Sequence, residues 1–137
     1  MTDQISVQEA LIYAMVTLSA ADSNMTDAEL KAIGDLVKGL PIFKDYDPEA
    51  LLLTASSVAG KLQGEDGLHD VLDIIAVSLP KRLYDTAYAL MVDVAAADGT
   101  LEREEVRVLQ MLRNRLSLDR LTVAAIERSA IARFRQA

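Results

Sequence analysis

Apolar residues recur every three or four positions along most of the chain, and Gly-, Pro- and Asp-rich breaks divide the rhythm into seven segments. The first is expected over about Val7–Ala21, with Ser6 as cap and Glu9 three residues on, the pattern of a capping box. The second starts at Thr26 and stops near Gly39, a usual helix end. Leu40 to Asp47 reads as a connector whose Ile42, Phe43 and Tyr46 fold inward to plug the bundle end rather than forming an exposed contact patch. Asp47 caps a third helix with Pro48 at its first position, running to about Gln63, where Gly64 to Gly67 breaks it. A fourth runs to Leu79 before Pro80, a fifth covers about Lys81–Ala97, a sixth Glu102–Leu116, and Asp119 caps a seventh to about Phe134. Strict alternation appears nowhere for more than about three or four residues, so no strand is expected. The pattern predicts an all-α bundle of about seven helices in a single domain over residues 1–137.

Two of these helix pairs are copies. Residues 15–30 align without a gap on 91–106, and six of the sixteen positions are identical, Asp22/Asp98 and Glu29/Glu105 among them. The apolar rhythm continues through Ile33/Leu109, Leu36/Leu112 and Leu40/Leu116. The bundle therefore contains an internal repeat of helix-turn-helix units, helices 1–2 and 5–6. Helices 3–4 have no detectable counterpart.

Composition agrees: half the residues are apolar (51%) and only 4% aromatic, a mixture suited to closely packed helices. No cysteine is present, which excludes disulfides, thiolate metal sites and thiol catalysis. No basic leader precedes the first helix, and no apolar run approaches the roughly 18 residues needed to span a bilayer. A cytoplasmic protein that is not itself transmembrane is expected. The net charge of −7 argues against nucleic acid as a partner. That charge is uneven: residues 1–102 carry 6 basic and 17 acidic side chains, residues 103–137 carry 8 arginines and 4 acids. The arginines are expected to lie against the acidic front half. The sharper reading is a docking surface for an acidic protein or an anionic membrane leaflet.

The duplicated acids are the feature that suggests chemistry. Asp22 and Asp98 fall at helix C-termini, where unpaired carbonyls make an anion unfavourable by up to about 1 kcal/mol. Glu29 and Glu105 follow in the first turn of the next helix, and a tight turn folds them back toward the same end of the hairpin. Carboxylates with free carbonyls form the oxygen donor set of a hard divalent cation such as Ca²⁺, Mg²⁺ or Mn²⁺. A plainer reading stands beside this, with Thr26 and Glu29 as an ordinary capping box and Asp22 as a turn residue. In the second copy Glu102 replaces Thr26, so capping is not expected to account for Glu105. A calcium EF-hand is rejected: with Asp98 at loop position five, positions one and three are Val94 and Ala96, and in the first copy Leu18 and Ala20, none with a side-chain oxygen.

The segment Ala-Ala-Asp98-Gly-Thr-Leu-Glu-Arg-Glu-Glu105, preceded by an apolar helix and repeated in divergent form, resembles the TerB-like family of tellurite-resistance proteins. The resemblance covers nearly the whole chain. It implies about seven helices with internal pseudo-symmetry and an acidic cluster for a divalent metal (Ca, Mg, Mn or Zn), mapping onto Asp22, Glu29, Asp98 and Glu105. It also implies a bacterial stress-response role with other stress-response proteins in membrane-associated complexes, hence a peripheral position at the inner membrane. One departure is Ser23 in the first copy where the second has Gly99, so the two turns are expected to differ.

The remaining candidates are weaker. His69 is the only histidine and lacks the partners of a metal phosphohydrolase. Ser56, Ser57 and Ser78 lie inside helices and are read as packing residues, and Met15, Met25, Met91 and Met111 as core. No nucleophile motif or phosphate-binding glycine loop is visible, so an enzyme is not expected. The expectation is a non-enzymatic stress-response protein with an acidic divalent-metal site. The alternatives are a metal-free interaction module using the Arg-rich C-terminal surface and, more remotely, a metallohydrolase.

Overall fold

The computed structural model of the chain describes residues 4–21, 25–97, 99 and 101–137. Among them are seven α-helices and no strand: α1 Val7–Ser19, α2 Asp27–Gly39, α3 Leu51–Leu62, α4 Gly67–Ser78, α5 Tyr84–Ala96, α6 Arg103–Arg115 and α7 Arg120–Arg133. Side-chain caps set several starts. The Ser6 hydroxyl accepts from the Glu9 N–H at 3.1 Å while Glu9 accepts from the Ser6 N–H at 3.2 Å, the expected reciprocal box. Asp119 accepts from the Thr122 N–H at 2.9 Å and the Thr122 hydroxyl at 2.8 Å. Those two bonds, backbone first, hold its carboxyl below the ordinary carboxylate range.

The element boundaries move by a few residues for local reasons. α1 stops at Ser19 rather than Ala21, because the Ala21 N–H turns onto the Leu18 carbonyl at 3.1 Å. The third and fifth helices open as single 3-10 turns, Pro48–Ala50 and Lys81–Leu83, before the α-helix proper. Gly67, read as part of a break, is the first residue of α4. A Cβ there would collide with the Leu62 carbonyl, so the α3–α4 turn closes only over a glycine.

α1 is the centre of the bundle. Every residue from Ala10 to Ser19 is buried, because α3, α4 and α5 pack closely around it. α5 is the second core helix, covered on its far side by α7. The duplicated hairpins interlock: α2 packs on α5 as well as α1, and α6 on α1 as well as α5. Met15 and Met91, equivalent in the repeat, are fully buried between them, while Met25 and Met111 pack at the core's edge.

The connector folds inward as expected. Phe43 is buried and meets Tyr46 edge-on at 6.1 Å, and the Tyr46 hydroxyl pairs with Thr54 Oγ1 at 2.8 Å. Ser56 and Ser57 do not pack as expected. Both lie on the exposed face of α3, and Ser57 pairs instead with the Tyr13 hydroxyl at 2.9 Å. The arginines meet the acidic half through Arg115–Asp73 and through Arg133–Asp93, the latter at 2.6 Å. No helix among the described residues is long and apolar enough to cross a membrane.

Candidate metal centre

Glu29 and Glu105 occupy equivalent places in the first turns of α2 and α6. Glu29 stands four residues before Ile33 and eight before Val37, so it belongs to the stripe that α2 turns to the core. Glu105 stands in the same relation to Leu109, with Val108 and Leu112 beside it. Both carboxylates are consequently almost inaccessible, at 2% and 1% exposure. They are the only buried acids among the described residues.

Local hydrogen bonding holds one oxygen of each. Glu29 Oε1 accepts from the Thr26 N–H at 3.1 Å, and the Thr26 hydroxyl returns a bond by accepting from the Glu29 N–H at 3.1 Å. In the second copy Glu105 Oε1 accepts from the Glu102 N–H at 3.0 Å. This corrects the expectation that capping has no part in Glu105: its carboxylate satisfies the N-cap backbone although the cap residue is no longer Thr. The two glutamates thus share one local role, accepting from the N-cap backbone N–H of their own helix.

The other two acids of the predicted set, Asp22 and Asp98, lie outside the described residues, as does Ser23. What flanks them is described. α1 and α5 end at Ser19 and Ala96, and Gly99 has φ +76, the left-handed conformation that favours glycine. The Gly99 N–H reaches the Ala96 carbonyl at 3.1 Å, which closes the turn between α5 and α6. No group of three or more metal-ligating side chains assembles among the described residues alone. No Lys, Arg or His among them forms an ion pair with Glu29. His69 is exposed in the first turn of α4.

One polar cluster escaped the sequence reading. Tyr88 of α5 is fully buried, and its hydroxyl donates to Glu127 Oε2 of α7 at 2.6 Å. Arg113 of α6 reaches the same oxygen at 3.4 Å and the Tyr88 hydroxyl at 3.5 Å. Burial, reinforced by the Glu127 carboxylate, pushes the Tyr88 phenol up to about 12 against the opposing pull of Arg113. The cluster ties three helices together through one phenol. A tyrosine set among the apolar residues of α5 was the available signal, since a buried hydroxyl needs a partner.

Comparison with curated proteins and with solved structures gives no match. A family model described as "Tellurite resistance protein TerB" matches residues 8–128, a span that contains both copies of the hairpin and both buried glutamates. With that span covered and an all-helical bundle built on the repeat, the chain belongs to the TerB family of tellurite resistance proteins.

Proposed function

We propose that this protein is a non-enzymatic, divalent-cation-binding component of a tellurite or chemical-stress response, with Asp22, Glu29, Asp98 and Glu105 as its oxygen donors. The observation that carries the reading is the near-complete burial of Glu29 and Glu105 at matched positions. Taking a carboxylate out of water costs several kcal/mol after relaxation, whereas a helix cap returns about 1 kcal/mol. At Glu29, which forms no ion pair among the described residues, capping alone is too weak to hold the acid on a core-facing stripe, and a cation is the compensation that oxygen donors of this kind accept. The interlocked packing supports a shared role, because each hairpin's second helix packs against the other hairpin's first. The place of action is the cytoplasm, at or near the inner membrane, among other stress-response proteins.

Calorimetric titration of the full chain with Mn²⁺, Ca²⁺, Mg²⁺ and Zn²⁺ tests this. At least one ion should bind, and Glu29→Gln with Glu105→Gln should weaken it at least tenfold, about 1.4 kcal/mol. Equal heats from the wild type and the double variant would remove the metal from the reading.

A second reading has its own support. Arg103, Arg107, Arg120, Arg128 and Arg135 are exposed and form no ion pair among the described residues. They suit a metal-free module that docks an acidic partner, for which binding weakens with salt while added metal leaves the melting temperature unmoved.

A further inference from the structure

The repeat duplicates a cleft as well as a pair of acids. In the first copy a recess of about 350 Å³ lies among Val16, Met25 and Ile33, walled by Leu51 and Leu52 at the start of α3. In the second, a recess of about 430 Å³ uses the equivalent positions Val92, Leu101 and Leu109, walled by Ala130, Ile131 and Phe134 of α7. Both fall within the range of small-molecule sites, roughly 300–1,000 Å³, and both linings are mostly apolar.

Each cleft is lined by one carboxylate, Glu49 in the first and Glu127 in the second, and the two are held differently. Glu49 is exposed, whereas Glu127 is fixed by Tyr88 and Arg113. Both of those bonds land on Oε2, and Oε1 takes neither. The guanidinium beside it offsets the charge, so Glu127 presents a fixed acceptor rather than a bare anion. An apolar recess with one anchored acceptor recognises a molecule with an apolar body and a hydrogen-bond donor at its end.

We propose that the cleft between α5, α6 and α7 binds a small amphipathic molecule, its apolar part against Val92, Leu109 and Ile131 and its N–H donor taken by Oε1 of Glu127. An amine and a primary amide share that head-group chemistry. The full chain, without metal, is titrated with hexylamine, hexanamide and hexanoate while backbone amide NMR shifts are followed. Hexylamine, hexanamide or both should move Leu101, Ala130 and Ile131 saturably, with hexanoate at least about tenfold weaker. Glu127→Gln should weaken hexylamine about tenfold, and Glu49→Gln should leave it unchanged. Ala96→Leu fills the recess while keeping the Tyr88 cluster, and should abolish binding with helicity intact by circular dichroism. Non-saturating shifts overturn the proposal, as does binding indifferent to Glu127→Gln or Ala96→Leu. Hexanoate as the tighter ligand would also overturn it, since Arg135 on the lining would then read the head group. Glu127 is not one of the four proposed metal ligands, so this result and the metal titration fail or succeed separately.

Discussion

Tyr88 and the two buried glutamates place polar atoms where water does not reach, and each is held by a short local network. For Tyr88 the consequence is readable by pH. Its protonated form is favoured in the fold, with the phenol at about 12 instead of the ordinary 10.0. The associated stability is fully present below pH ~10 and is lost as pH rises from there through 12, on the order of 3 kcal/mol in all. Tyr88→Phe should therefore flatten the fall of melting temperature across that alkaline window, and ultraviolet titration at the phenolate band should lose its latest step. An unchanged alkaline profile would mean that the hydroxyl is not held as described. The buried glutamates show how far residue-level reading reaches. Their positions four residues before Ile33 and Leu109 put them on the apolar stripe in the sequence itself. That they are sealed, and not merely inward, depends on neighbouring helices that no local pattern names.

At the scale of the element, caps and glycines decide where helices start and turn. The Thr26–Glu29 box satisfies two backbone donors, so Thr26→Ala should cost about 1 kcal/mol in urea unfolding, with the denaturant slope unchanged. Two glycines separate conformational cost from steric cost. At Gly99 a Cβ would meet nothing within 4 Å, so Gly99→Ala should lose only the left-handed preference, about 1 kcal/mol. At Gly67 the Leu62 carbonyl stands in the way, and Gly67→Ala should cost more than Gly99→Ala in the same assay. The reverse order would show that the α3–α4 turn yields more easily than its close approach implies. Most helix limits were legible from these signals: Ser6, Thr26 and Asp119 all cap as the sequence indicates. The 3-10 openings at Pro48 and Lys81 were not, because a 3-10 turn and the first turn of an α-helix share their sequence preferences.

Over the whole molecule, the crossing of α2 onto α5 and of α6 onto α1 makes each hairpin incomplete alone. α1 is apolar on all sides and needs α3, α4 and α5 to cover it. A peptide of residues 1–40 should thus show little helix by circular dichroism, while the full chain unfolds in one transition with α1 and α5 exchanging their amides last. Separate transitions for the two hairpins would contradict the interlock. The uneven charge resolves at this scale too: Arg115 and Arg133 reach Asp73 and Asp93 on α4 and α5, Arg113 meets Glu127 within the C-terminal half, and the remaining arginines of that half face solvent.

Helix number, the repeat, the inward connector and the recurrence of an Asp and a Glu in both copies are written in the chain, because period, punctuation and duplication are properties of residue order. The sealing of Glu29 and Glu105, the Tyr88–Glu127–Arg113 cluster and the paired clefts arise only once distant helices meet. Tyr88 and Glu127 are 39 positions apart, and neither residue's surroundings in sequence mark the other as its partner. Packing, which brings such groups together and removes water from between them, is the physical event that the linear pattern constrains without specifying.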